Sequence, residues 1–247
     1  MRVVNDDNAQ GASDLLTILI TFLLYGVALW LWWQQRSPLY VLALAAGQLS
    51  ILLNPFWRLL YSLQTIPSPG SLLAVFATPF DIVASLRAAW PDTLPALIIV
   101  LLYSCRWWKP DLLTGLLTYF VFVSLQLLFG LLGLRDPAPP ALAGDLPFGF
   151  NPSLLAALMS ATITYGLCYV FMTVQRYSWP SMAVAILPMP LLFGGLVYGV
   201  VGAPLLVGQL LPDGEWPLRI GLLLTLALSG WCVAIISAGL QRLGQAM

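Results

Sequence analysis

Very few side chains in this chain could do chemistry inside an apolar protein. Amide groups among membrane helices hydrogen-bond from helix to helix or bind polar ligands, and an acid there is typical of ion-coupled transport. Asp81 is the only acid that the pattern of charges allows within the hydrocarbon zone of a membrane. We therefore predict that a polar cavity, where the chain has one, is bounded by a small set of residues. They are Gln48, Asn54, Gln126, Asp81 and Pro188.

The residue types that most enzymes depend on are missing or isolated. The 247 residues include no histidine, which excludes His-ligated haem, zinc or di-iron sites and Ser-His or Cys-His dyads. The three cysteines lie far apart in apolar stretches, where cysteine behaves as a small hydrophobic residue. We therefore predict no catalytic residue, no metal and no cofactor. A lipid-modifying enzyme that uses Asp81 or Asp111 is the alternative, but it needs a second acid or base nearby.

The composition indicates that the bilayer is the solvent for most of the chain. Ten basic and ten acidic residues make up 8% of the chain, 60% is hydrophobic and the mean hydropathy is +0.90. Soluble domains carry about 25% charged residues. A soluble domain, a disordered chain and a nucleic-acid-binding protein are therefore excluded, and membrane lipids are the first predicted partner.

The apolar runs predict an all-α, polytopic integral membrane helix bundle. Runs of about 20 apolar residues cross roughly 30 Å of hydrocarbon as helices, and about seven such transmembrane helices are predicted. Their ranges are 15–33, 39–57, 94–105, 112–134, 154–174, 182–211 and 218–240.

A segment between the second and third spans is predicted to lie on the membrane rather than in it. It carries Pro79, Asp81 and Arg87, and its small or polar residues recur every three or four positions, opposite a hydrophobic face. The alternative is an eighth span that buries Asp81. The predicted organisation is a polar N-terminal tail (1–14), a two-span hairpin (15–68), the interfacial amphipathic helix (69–92) and a five-span bundle (93–247).

The distribution of basic residues gives an orientation. With seven spans, one side of the membrane holds basic residues packed into short loops, which is typical of the cytoplasmic side. The N-terminus is therefore predicted outside and the C-terminus in the cytoplasm, in an inner or plasma membrane. The basic residues on the predicted cytoplasmic side are Arg36, Arg106, Lys109, Arg176 and Arg242.

Helix starts are marked by side chains that can accept hydrogen bonds from the first turn. Asn151 precedes Pro152, a favourable pair for an N-cap and a first helical residue. Asp111 and Asp92 precede apolar runs, where the helix dipole favours a negative charge. We interpret all three as structural signals without a functional role.

Small residues at four-residue spacing predict close helix packing in three spans. The long run 182–211 also contains Pro188, and its prolines predict a broken helix, which in transporters lines a substrate site. Packing is the favoured interpretation and a transport site the alternative. The predicted packing residues are Gly195, Gly199, Ala203, Gly230, Ala234, Ala238, Ala43 and Gly47.

From Leu72 to the C-terminus the chain resembles the Yip family of five-span membrane proteins. The resemblance rests on the run LLAVFATPFDIVASLRAAWPDTLPALIIVLLYS, with Pro79 at the centre of an amphipathic entry helix, and on the turn WPSMAVAILPMPLLFGG at residues 179–195. Two additional spans precede the match, and the cytoplasmic entry helix of the family opposes the orientation from charge. The resemblance implies a non-enzymatic protein that acts through membrane partners.

The sequence therefore predicts a non-catalytic membrane subunit or scaffold that packs against other integral membrane subunits. The alternative is a transporter permease component, alone or with an ATPase partner, whose broken helix lies around Pro188 and Gly199. Neither prediction includes a nucleic-acid partner.

Overall fold

The structure, a computed structural model, describes residues 3–50, 86, 90–109, 111–132, 146–211 and 215–246. Every regular element in these ranges is helical. A 3₁₀ turn at Pro147–Gly149 precedes the fifth α-helix, and a π-helix, Gly195–Val201, separates the seventh from the eighth. The α-helices are α1 (Val3–Gln35), α2 (Leu39–Leu49), α3 (Thr93–Ser104), α4 (Leu112–Leu131), α5 (Pro152–Val174), α6 (Trp179–Ile186), α7 (Met189–Gly194), α8 (Ala203–Leu210) and α9 (Glu215–Ala246).

Five helical segments are long and apolar enough to cross a membrane, so the predicted count of about seven is not confirmed. The segments are Leu15–Gln35, Leu112–Leu131, Pro152–Val174, Trp179–Val201 and Glu215–Gln245. The predicted span at 94–105 corresponds to α3, which has 12 residues. At 1.5 Å per residue this helix is about 18 Å long, well short of about 30 Å of hydrocarbon.

Several predictions concern residues outside the described ranges. They include Asn54, Asp81, almost all of the interfacial segment 69–92 and the end of the predicted span 39–57. The described part of that span is α2, with 11 residues.

The helix α5 lies at the centre of the bundle. In α5, 78% of the spanning window is buried, against 22–33% for the windows of the other four segments. It contacts α3, α4, α6, α7, the π-helix and α9. A helix that is buried on all sides must bury its polar side chains as well, so their partners decide how the bundle is held together.

The short helix α3 runs beside the C-terminal half of α5 and in the same direction. At its start, the carboxylate of Asp92 meets the hydroxyl of Thr164, in the middle of α5. At its end, Ser104 accepts a hydrogen bond from Gln175, directly after α5. The start of α3 therefore lies about halfway along α5, inside the bundle.

The long run 182–211 is broken, as its prolines predict. α6 ends at Ile186 and α7 begins at Met189, with Pro188 between them. The π-helix follows, and α8 begins at Ala203. Proline removes a helical hydrogen bond and clashes with the preceding turn, which accounts for the break at Pro188.

Two of the predicted N-caps are present. The Asn151 side chain accepts a hydrogen bond from the backbone N–H of Ser153 at 2.8 Å, ahead of Pro152 in the first turn of α5. The Asp111 carboxylate accepts from the backbone N–H of Thr114 at 2.7 Å and from the Thr114 hydroxyl. Both caps satisfy backbone donors that the helix itself leaves unpaired.

The cap of α4 is expected to respond to pH. Hydrogen bonds from the Thr114 side chain and backbone hold the pKa of Asp111 below its usual value. The folded pKa is lowered, so the cap stabilises α4 above the unfolded carboxyl pKa and is lost as pH falls through the folded value. Below about pH 4 we expect faster amide exchange in the first turn of α4, after correction for intrinsic rates. The cap of α5 is the control, because the Asn151 amide does not titrate. Equal acceleration in both first turns would contradict the prediction.

Candidate functional site

Hydroxyl groups on α5 make hydrogen bonds to neighbouring helices in several directions. The Ser160 hydroxyl is 3.2 Å from the hydroxyl of Tyr198 on the π-helix. The Thr162 hydroxyl is 3.1 Å from that of Ser229 on α9 and donates to the carbonyl oxygen of Leu158, one turn earlier. These bonds join α5 to two helices that are distant from it in sequence, so they help to fix the order of the bundle.

Two aromatic side chains of α4 pack against Tyr165 of α5. The Tyr165 hydroxyl lies 2.9 Å from that of Ser237 on α9. Its ring packs against Tyr119 and Phe122 of α4, with centroids 5.8 and 6.3 Å away. A Cβ on Gly115 would lie 2.7 Å from the Tyr165 hydroxyl, so an alanine here would force the Tyr165 side chain to shift.

The most polar arrangement in the described core is a cluster of Asp92, Gln126 and Thr164, which we call the Asp92 cluster. The Gln126 amide nitrogen lies 2.5 Å from the Pro91 carbonyl oxygen, 3.1 Å from Asp92 Oδ1 and 3.2 Å from Thr164 Oγ1. Thr164 Oγ1 is also 3.2 Å from Asp92 Oδ1 and 3.0 Å from the Ser160 carbonyl oxygen. The cluster joins the start of α3 to α4 and α5.

Some polar atoms at this cluster have no hydrogen-bond partner in the part of the chain that the structure describes. Gln126 is fully buried, and its side-chain oxygen accepts no hydrogen bond. The buried hydroxyl of Thr93 and the indole N–H of Trp90, in the same turn as Asp92, are also unpartnered. A buried acceptor without a donor costs about 1–3 kcal/mol, so the position of the Gln126 side-chain oxygen is energetically unfavourable.

Asp92 stands at the N-cap position of α3, with helical rather than extended backbone dihedrals. An N-cap side chain bonds to the second or third N–H of its helix, and Pro95 stands at the third position without an N–H. The Asp92 carboxylate makes no cap hydrogen bond and turns to Gln126 and Thr164 instead. Asp92 therefore lies at the helix start that the sequence predicts, and its carboxylate also contacts Gln126 and Thr164, which the sequence does not predict.

The residues predicted to bound one polar cavity belong to different contacts. Gln48 accepts a hydrogen bond from the Tyr25 hydroxyl at 2.8 Å and joins α1 to α2. Gln126 belongs to the Asp92 cluster, and Pro188 lies half-buried at the start of α7. Asn54 and Asp81 lie outside the described residues. Among the described residues, the acid and hydroxyl that contact Gln126 are those of Asp92 and Thr164.

The predicted packing residues fall into three groups. Ala43 and Gly47 are buried on α2, as expected for a packing face. Gly195, Gly199 and Ala203 are half-buried, on the π-helix and at the start of α8. The third group, Gly230, Ala234 and Ala238, is exposed on the outer face of α9.

The helices α8 and α9 pack closely against each other, a contact that was not predicted from the sequence. The two helices contain matching motifs, PLLVG at 204–208 and PLRIG at 217–221. A Cβ on Gly208 would lie 2.6 Å from the Pro217 carbonyl oxygen, and one on Gly221 would overlap the Pro204 carbonyl oxygen. The reciprocal contacts show that the helices are antiparallel and touch backbone to backbone.

Comparison of the chain with protein-family models, with curated proteins and with solved structures finds no match. The resemblance to the Yip family has no support from these comparisons.

Proposed function

We propose that the chain is a non-catalytic integral membrane subunit that packs against other membrane proteins through the outer face of α9. The observation that carries the proposal is a stripe of small residues on that face, which we call the α9 stripe. Its members, each exposed, are Ala227, Gly230, Ala234 and Ala238.

The α9 stripe is separate from the face that α9 uses within the chain. Thr225, Ser229, Val233 and Ser237 are buried against the bundle, whereas a Cβ on Gly230 would meet no atom within 4 Å. Small residues three and four apart let a second helix approach closely, which is how helices associate in lipid. The stripe therefore suits a helix of another integral membrane subunit.

The core supports a structural role rather than a catalytic one. The hydroxyls of Ser160, Thr162 and Tyr165 are engaged in bonds between helices, and the chain has no histidine to act as a base or metal ligand. No group of three or more Cys, Asp or Glu residues that could hold a metal occurs within the described ranges.

The second candidate function is a permease component, alone or with an ATPase partner. The break at Pro188 and the π-helix Gly195–Val201 favour it, because broken and π-bulged helices occur at substrate sites. Under either function the distribution of basic residues along the sequence is our basis for an inner or plasma membrane with the N-terminus outside.

The test of the α9 stripe is a bulky substitution with a matched control. Ala234→Phe fills the stripe, whereas Val184→Phe adds the same ring at an exposed position on α6, where Val184 is 77% exposed. In mild detergent we expect Ala234→Phe to raise the fraction of free chain roughly tenfold, or about 1.4 kcal/mol of association. Light scattering against the 26.9 kDa monomer measures this fraction.

The control should retain the wild-type complex. A wild-type protein that runs only as a monomer, or equal dissociation of the two variants, would contradict the proposal.

A further inference from the structure

We propose that the end of the bundle where α1, α3 and α5 finish binds the phosphate group of an anionic phospholipid. The site consists of Arg36, Arg106 and Arg176, each exposed and each within two residues of the end of one of these helices. The site goes beyond the subunit role and does not depend on the α9 stripe.

Contacts between the helix ends bring the three arginines to the same end of the bundle. The Gln175 amide donates a hydrogen bond to the Ser104 hydroxyl at 2.9 Å, which joins the end of α5 to the end of α3. One of the arginines follows each of these residues within two positions. The Ser37 hydroxyl, directly after Arg36, lies 4.0 Å from the sulfur of Met182 on α6, the helix that follows α5.

The backbone at two of these arginines is unfavourable for a residue with a side chain. Arg106 has a φ of 59° and is the left-handed residue of a Schellman motif, in which the next N–H bonds to the Leu102 carbonyl oxygen at 3.1 Å. Arg36, directly after α1, has a φ of 53°. Glycine is the usual residue at such positions. Because backbone strain persists where a side chain has a role, arginine at both positions indicates that the guanidinium groups are needed there.

The three positive charges are not neutralised by acids of the described chain. Among the described residues none of the three arginines forms a salt bridge, and the acid at this end, Asp111, binds Thr114 in the cap of α4. Like charges at one end of the bundle repel one another, and an anion beside them reduces that repulsion. A guanidinium group has five N–H donors in a planar fork that matches the oxygens of a phosphate.

Exposed tryptophans place the arginines at the level of lipid headgroups. Trp33 near the end of α1, Trp107 after α3 and Trp179 at the start of α6 are 82%, 78% and 68% exposed. Tryptophan is enriched at the membrane–water interface, where its ring lies at the level of the headgroups. Basic groups at that level attract anionic lipids. The phosphate that fits these arginines is therefore that of a bilayer lipid rather than of a molecule in solution.

Native mass spectrometry of the purified full chain in detergent tests the site by titration with three probes. They are phosphatidylglycerol, which is anionic, phosphatidylcholine, which has no net charge, and glycerol phosphate, which is soluble. We expect phosphatidylglycerol to bind roughly tenfold more tightly than phosphatidylcholine, because only the first has a net charge to attract the arginines. Glycerol phosphate should give no adduct at the same concentrations.

Two variants and a matched control assign the binding to these arginines. Arg106→Gly removes the side chain but suits the backbone, because glycine is favoured in a Schellman motif. Arg176→Gln removes the second charge. Arg219→Gln also removes one positive charge, but at the opposite end of the bundle, where Arg219 lies over the ring of Phe148 ahead of α5. Each of the first two should weaken phosphatidylglycerol binding about fivefold, and the control should bind as the wild type does.

Three results would overturn the proposal. One is equal binding of phosphatidylglycerol and phosphatidylcholine by the wild-type protein. Another is phosphatidylglycerol binding that Arg106→Gly and Arg176→Gln leave unchanged, or that Arg219→Gln weakens equally. The third is an adduct of glycerol phosphate as stable as that of the lipid, which would make the ligand a soluble phosphate.

Discussion

Gly221→Ala is expected to push α8 and α9 apart and to destabilise the bundle by about 2–3 kcal/mol, as overpacking of a close contact does. The new Cβ would overlap the carbonyl oxygen of Pro204 and lie 3.0 Å from the Cα of Leu205. Both are backbone atoms, which cannot rotate away as a side chain can. Unfolding of the purified protein in a denaturing detergent titration measures the loss.

Gly230→Ala makes the same change on the same helix and is the control. A Cβ at this position meets nothing within 4 Å, and alanine favours a helix over glycine by about 1 kcal/mol. We therefore expect unchanged or slightly raised stability. Equal destabilisation by the two substitutions would mean that the reciprocal contact of PLLVG and PLRIG does not hold α8 to α9.

Tyr165→Ala is expected to cost about 3–5 kcal/mol, the range for removing a large buried aromatic side chain. Tyr165 is fully buried and packs against Tyr119 and Phe122 of α4 while its hydroxyl reaches Ser237 of α9. Its removal leaves a cavity where three helices meet. The same unfolding titration measures the effect.

Tyr165→Phe separates the packing of the ring from the hydrogen bond. The ring remains, and Ser237 still donates to the carbonyl oxygen of Val233, so no buried group loses its last partner. We expect a cost of about 0.6 kcal/mol, the average for such bonds in membrane proteins. If Tyr165→Phe were as damaging as Tyr165→Ala, hydrogen bonding rather than packing would hold α4, α5 and α9 together.

Composition and periodicity predict the helices of this chain better than their roles. The caps at Asn151 and Asp111 and the break at Pro188 follow from local chemistry, since each depends on neighbouring residues in the chain. The central position of α5 does not follow from local chemistry, because the run 154–174 is no more hydrophobic than its neighbours. Which apolar run becomes the central helix is decided only by how the other helices pack around it.

The small-residue motifs show the same limit. A four-residue spacing occurs in the exposed stripe, from Gly230 to Ala234, and also in the buried contact, from Pro217 to Gly221. The spacing alone does not show which face of the helix turns inward. The proline four residues before both Gly208 and Gly221 distinguishes the close contact, and it is visible in the sequence as a repeated motif.

The acidic residues Asp81 and Asp92 show most clearly what the sequence does not predict about the site. Asp81, the one acid that the sequence allowed within the membrane, lies outside the described residues. Asp92, interpreted as a helix start, does precede α3, and it also lies halfway along α5 beside Gln126 and Thr164. Contacts between residues 34 and 72 positions apart in the chain are not readable from spacing.

Photo-crosslinking along α9 in native membranes tests the proposed partner face most directly. A photoreactive residue is placed in turn at Ala227, Ala234 and Ala238 of the α9 stripe and, as a control, at the exposed Val184 of α6. The account predicts protein adducts of one molecular mass from all three stripe positions and none of that mass from Val184. Stripe positions that yield no protein adduct, or the same adduct from Val184, would contradict it.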